Sequence, residues 1–281
     1  MPLQDRMEGS RAPDEIAAAR VELENKSTEE LFTASLEGEY DDDAAWEAIS
    51  VLRLRGTPEV FEVAARYCES KNPKARARGL NVLAQLGAGR PEADRPFVAQ
   101  SVSIAISHLH DSNPDTVSSA AWALSHLGTE AAVTALIDLQ KHPDPEVRQA
   151  VACCIGLRRR PEWVPILLAL MEDENEVVRD WATFELGSGD VVEAGVMHYP
   201  DSPEIRAALR RRTEDNYEDA RREAIWGLAK RRDSLGLKLL LDHLDSESWW
   251  SGDEDAAKEI LSVKSDTPVE ELREGLRRLL S

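Results

Sequence analysis

Chemistry at a bond or a metal needs histidine, cysteine, serine or carboxylate groups spaced so that they converge. The six histidines here, His108, His110, His126, His142, His198 and His243, are scattered, and the His108-x-His110 pair falls where a helix should end. Cys68 and the adjacent Cys153 and Cys154 form no C-x-x-C motif, and the adjacent pair reads as small core residues of a helix. No Ser/His/Asp arrangement, phosphate-binding glycine loop or carboxylate pair stands out, so neither a catalytic residue nor a metal site nor a cofactor is expected. What does recur at regular spacing is a row of large aromatic and polar side chains: Trp46, Asn81, Trp122, His126, Asp180, Phe184, Arg222 and Trp226. Indole and phenyl groups flanked by a guanidinium and a carboxylate do the chemistry of recognition, because buried aromatic and arginine anchors carry most interface energy.

The elements that hold this row are announced by a repeated phrase. Asn113-Pro114-Asp115-Thr116, Asp144-Pro145-Glu146-Val147 and Asn175-Glu176-Val177-Val178 open 31 residues apart. Such a period, with a capping residue and then a helical pattern, marks a helical solenoid. The fourth residue of each phrase sets a register that extends to Ala44, Ala75, Thr116, Val147, Val178 and Ala220. Four and eight residues on stand Ala48 and Leu52, Gly79 and Leu83, Ala120 and Leu124, Val151 and Ile155, Ala182 and Leu186, Ala224 and Leu228. That apolar row is one helix face, with small residues where neighbouring helices come close.

Positions two and six beyond the register residue lie about 200° and about 600° round the helix, pointing away from that face, and they hold the aromatic row, with His126 flanking it. Trp181 falls nearer the apolar face and is expected in the core; Trp249-Trp250 beside Gly252 can be placed either way. A second helix precedes each of these, opened directly by Thr57-Pro58 and Ser202-Pro203, since proline's missing N–H is no loss in a first turn. Two register gaps are longer by ten or eleven residues, which places insertions at Gly89 to Arg95 and Asp190 to Pro200. Ser27-Thr28-Glu29-Glu30 reads as a capping box. Leu235 to Leu244 and Glu254 to Val263 form a degenerate seventh pair, and Thr267-Pro268-Val269-Glu270 opens a last helix whose Arg273, Arg277 and Arg278 face water.

Composition agrees with an all-α chain. Aromatic residues make up only 5%, and helix formers dominate. The expected organisation is a disordered tail over residues 1–13 and a single α-solenoid domain over 14–281: a right-handed superhelix of six to seven helical pairs plus terminal helices. A net charge of −19 opposes phosphate neutralisation over a broad surface. Charge is nonetheless polarised, with 14 acidic against 4 basic residues in the first fifty, and 9 basic against 5 acidic in residues 205–232. No signal core or membrane-length apolar run is visible, and the cysteines make no disulfide framework, so a cytoplasmic location is expected.

The phrases Asp144 to Val151 and Val178 to Gly187 resemble HEAT repeats of the short, phycobilisome-lyase type, and the resemblance runs over residues 27–263. It implies that the second helices line a concave surface, and that Arg148, Arg179 and Arg221 bond a side chain at a neighbouring turn, with Asp144, Asn175 and Asp215 as candidates. Similar proteins include scaffolds, bilin lyases, an iron hydroxylase and DNA glycosylases. The hydroxylase's paired His-Glu motifs have no counterpart here, and Asp180 with Trp181 is only a superficial likeness to a glycosylase site. The expected function is a non-enzymatic scaffold that binds a protein partner on its concave face. A lyase- or hydroxylase-type enzyme is the alternative, and a nucleic-acid binder comes behind it.

Overall fold

Each repeated phrase opens a helix because its side chain takes up backbone N–H groups that the first turn leaves unpaired. In the computed structural model, Asn113 accepts from the Thr116 N–H and Asn175 from those of Val177 and Val178. Thr57 caps by accepting from Val60, and Ser202 from Ile205. The Ser27 box is complete: the Glu30 N–H donates to the Ser27 hydroxyl, and the Ser27 N–H donates to the Glu30 carboxylate. Each such cap contributes about 1 kcal/mol.

The structure describes residues 21–38, 42–156, 160–187, 199, 201–246 and 251–281. The tail over 1–13, most of the polar helix expected from Asp14, nearly all of the second insertion, and Trp249 and Trp250 lie outside these residues. The fold is 72% helical, without strands among the described residues. The helices are α1 (Thr28–Ala34), α2 (Asp43–Arg55), α3 (Pro58–Cys68), α4 (Pro73–Ala84), α5 (Val98–Ser107), α6 (Pro114–Leu127), α7 (Glu130–Ile137), α8 (Pro145–Gly156), α9 (Val164–Leu170), α10 (Glu176–Leu186), α11 (Pro203–Arg212), α12 (Glu218–Lys230), α13 (Ser234–Asp245), α14 (Ser251–Leu261) and α15 (Val269–Leu280). The expected all-α solenoid architecture is present, and the last three helices fall within a few residues of their predicted bounds.

Two compact units divide the chain, Met1–Ala135 and Leu136–Ser281. In the first, α4 is central: it packs on α2, α3 and α6, and α5 covers α6. In the second, α10 packs on α8, α9 and α12; α12 in turn packs on α11 and α13, and α15 closes against α13 and α14.

The register row is the buried one. Ala75, Thr116, Val147, Val178 and Ala220 are buried, as are the residues four and eight further on. The first helix departs from it: Ala44 is exposed and Ala45 takes the inward place beside Ala48, Ile49 and Leu52. Where the row carries glycine, backbones meet. A Cβ added at Gly79 would lie 2.7 Å from the Ala64 carbonyl oxygen and 2.8 Å from the Cys68 sulfur, so α3 and α4 pack at a distance only glycine allows.

Candidate functional site

In the first unit the aromatic row stands on α2, α4 and α6. Trp46 is half-buried, with the guanidinium carbons of Arg53 and Arg78 at 5.6 and 5.3 Å from its ring centroid. Two cations over one indole fix its plane. Arg53 is itself locked, donating from Nε and Nη2 to the main-chain oxygen of Asn81 at 2.9 and 2.7 Å. Its Nη1 donates to Gln85 Oε1 at 3.0 Å. An arginine cannot accept, so this bond orients the Gln85 amide and turns its NH2 to His126 Nδ1, 3.1 Å away. Nδ1 must then accept, which makes His126 the neutral Nε2–H tautomer. Removal from water, then the charges of Arg53 and Arg95, push its pKa down to about 4, although one side of the ring remains exposed. Trp122, half-buried, sits with its ring 6.2 Å from that of His126. Asn81 is buried, so of the four row residues in this unit it offers no side-chain surface.

The first insertion also lies beside this row. Gly87 turns it with φ +82°, donates its N–H to the Arg53 oxygen at 2.7 Å, and leaves no room for a Cβ against Pro96. Phe97 follows in the left-handed region at φ 60° and stacks on Phe61 with centroids 4.4 Å apart. A bulky residue in that region costs of order 1–3 kcal/mol, which the stacking and the pinned turn hold in place. Between these anchors the chain forms one wall of a pocket of about 620 Å³, lined by Ala93, Arg95, Val98, Leu127, Gly128 and Thr129. The sequence marked the insertion only by its length; the pocket had no residue signature.

In the second unit the row stands on α10 and α12. Phe184 is half-buried, its ring edge-on to Trp181 with centroids 6.0 Å apart. Trp181 is likewise only half-buried, against the core placement its position predicted. Asp180 has a buried Oδ1 without a hydrogen-bond partner. Desolvation, then the charges of Asp219 and Asp215, raise its pKa to about 7. Arg222 is buried and ion-paired to Glu218 and Asp219, so it secures α12 and leaves little of itself at the surface. Trp226 donates its indole N–H to Asp253 at 2.7 Å, and Gly252 lies so near the ring that a Cβ there would meet it at 2.6 Å. The start of α14 therefore covers part of this indole, which also packs on the apolar cluster around Leu240 and Leu276.

The arginines one past the register are structural. Arg148 grips Asp173 with two bonds of 2.7 Å, and Arg179 grips Asp215 at 2.8 and 2.9 Å. Asp215 was among the candidates; the partner of Arg148 is Asp173 rather than Asp144 or Asn175. Arg76 pairs with Asp111 in the same way and was missed, although it holds the same register place. Arg221 donates to the main-chain oxygens of Asp215 and Asn216. Among the described residues no group of three or more metal-ligating side chains converges. All three thiols are buried, and burial pushes that of Cys68 up to about 12. No described helix is long and apolar enough to cross a membrane.

Comparison with known proteins bears on this stacked arrangement. Residues 136–195 match the family model for HEAT repeats, and residues 118–142 match that for the PBS lyase HEAT-like repeat. These matches identify HEAT repeats within residues 118–195 of the chain. Its relatives include protein YibA of Escherichia coli K12, 26% identical over 231 residues that make up 78% of this chain and 75% of YibA. The X-ray structure of YibA superposes with a TM-score of 0.71 at 21% identity, over 96% of this chain and 98% of that one. The condensin Cnd3–Cnd2 subcomplex of S. pombe contains a similar stretch, with a TM-score of 0.54 at 14% identity, over 94% of this chain and 37% of that one. These likenesses concern the fold of the HEAT repeats.

Proposed function

We propose that this HEAT-repeat protein is a non-enzymatic adaptor that binds a protein partner through the aromatic row of its second helices. The observation that carries the reading is the pair Trp46 and Trp122, on α2 and α6 of one unit. Both indoles keep part of their surface open, yet neighbouring cations and an imidazole fix their orientation. Pre-set aromatic surface binds well because little side-chain freedom is lost on association. The second unit carries aromatic surface of its own in Phe184 and the open part of Trp226, with Asp180 as a polar neighbour. Asn81 and Arg222 support it from below.

Capture from lysate with the intact protein and with Trp122→Ala, read by mass spectrometry, tests the proposal. A partner held by the first and lost by the second, at unchanged helical circular dichroism, supports it. Equal capture by both removes the row from the binding surface. A fall in helicity would assign Trp122 to the core instead. The cytoplasm as the place of action belongs to this proposal. Cys68, buried and pushed up to about pKa 12, is not the nucleophilic thiolate that the lyase alternative would need there.

A further inference from the structure

In a chain of net charge −19, an arginine that meets no carboxylate among the described residues calls for an explanation. Arg95 makes no hydrogen bond or ion pair with any described residue, and its Nε is buried without a partner. Asp94, the acid just before it in sequence, is exposed. The guanidinium instead lines the 620 Å³ pocket, whose other walls are the apolar side chains of Ala93, Val98 and Leu127 and the Gly128-Thr129 turn. Thr129 caps α7, accepting from the Ala132 N–H at 3.2 Å, so the positive end of that helix opens at the pocket rim. Close by, His126 presents an Nε2–H donor and no acceptor, because the Arg53–Gln85 relay occupies its Nδ1. The polar groups at the pocket thus favour negative charge and its other walls are apolar.

We infer that this pocket is a binding site for a small monocarboxylate with an apolar body, its carboxylate on Arg95 and its hydrocarbon against Val98 and Leu127. A guanidinium whose Nε is buried without a partner lacks a hydrogen bond that a planar carboxylate, matching its fork geometry, would supply. The volume lies in the range of small-ligand sites, which are mostly apolar with a few placed polar groups. The pocket shares His126 with the proposed protein-binding row but needs neither Trp46 nor Trp122, so loss of one site leaves the other testable.

Equilibrium dialysis of the full chain against sodium hexanoate, hexylamine and inorganic phosphate tests the inference in the absence of any partner. Saturable uptake of one hexanoate per chain is expected, with no saturable uptake of hexylamine and phosphate at least tenfold weaker. Arg95→Met should weaken hexanoate uptake at least tenfold, while Arg90→Met, at an exposed arginine of the same insertion, leaves it unchanged. Ala93→Trp, a substitution at an exposed position, should block uptake without removing a charge, which guards against misfolding of the Arg95 variant. Unchanged uptake by Arg95→Met, or equal uptake of hexylamine, overturns the site. Phosphate bound as tightly as hexanoate overturns the apolar part of the assignment.

Discussion

Asp180 and His126 are both displaced from their ordinary titration ranges, in opposite directions, and each displacement is measurable. Asp180 loses solvent and faces the charges of Asp219 and Asp215, which raise its pKa to about 7. Between the ordinary carboxylate range near 4 and pH 7, the folded chain keeps a proton there that the unfolded chain has released. Its contribution to stability is therefore full in acid and lost as pH rises through 7. Asp180→Asn, uncharged throughout, should be more stable than the parent at pH 8 by about 1–2 kcal/mol, a discounted share of the ~1.4 kcal/mol per pKa unit. Urea melts at pH 8 and pH 4 check this; a gain of the same size at both would show that the carboxylate charge is not the cause. For His126 the sign reverses. Its pKa of about 4 lies below the ordinary value of 6.5, so the unfolded chain binds more protons between those limits, and its share of stability declines as pH falls through that window. Nitrogen NMR of the ring should show the Nε2–H tautomer and no protonation above about pH 4. A ring that titrates near 6.5 would break the Arg53–Gln85–His126 relay.

At the scale of the element, the helix-to-helix arginine bonds are where the register of the repeat becomes energy. Arg148 and Arg179 each fork onto a carboxylate that also accepts the backbone N–H two residues on: Asp173 from Asn175, and Asp215 from Tyr217. Asp215 is held down to about 2 against the cost of its burial, by hydrogen bonds from Arg179 and Tyr217 and by the charges of Arg179 and Arg212. Its contribution is present above the ordinary carboxylate pKa and lost as pH falls from about 4 towards 2. Arg179→Lys should cost about 2–4 kcal/mol at pH 7, because a point ammonium cannot reproduce the two-bond fork and leaves the buried carboxylate half-satisfied. Urea unfolding measures it, and a loss under about 0.5 kcal/mol would reduce the pair to a surface contact. Spacing alone located these arginines but not their partners, since the acceptor lies at a turn whose distance in sequence varies with the connecting helix. The acceptor's place, five before the register residue, holds Asp111, Asp173 and Asp215, and His142 where the arginine place is taken by Val117. His142 keeps the local half of the role, accepting the Asp144 N–H at 3.2 Å. Gly79→Ala tests the same packing without charge: a methyl driven towards the Ala64 oxygen should cost about 1–3 kcal/mol.

For the whole molecule, the solenoid was legible because most repeats announce themselves locally, through a side-chain cap and a small-residue row, and three consecutive ones open at the same 31-residue interval. The aromatic row was half legible: Trp46, Trp122 and Phe184 are half-buried where spacing put them on an outer stripe, but spacing did not show that Asn81 and Arg222 would be buried or that α14 would lean on Trp226. Those depend on what a later helix covers, and no periodicity encodes it. Charge shows the same gap between sequence and structure. The nine basic residues of 205–232 look like a patch for phosphates, yet each is committed. Arg206 and Arg210 meet at Asp233, Arg211 and Arg212 at Glu172, Arg222 lies on Glu218 and Asp219, and Lys230 on Glu259. Arg221, Arg231 and Arg232 donate to main-chain oxygens. A phosphate backbone would have to break these bonds before gaining its own, against the repulsion of a −19 chain. Gel-shift titration with double-stranded DNA in about 20 mM salt, where counterion release is strongest, should therefore show no complex up to about 10 µM protein. A complex that forms there and dissolves by about 200 mM salt would mean that the arginines exchange their carboxylates for phosphates, and the HEAT array would then have to be read as a nucleic-acid surface.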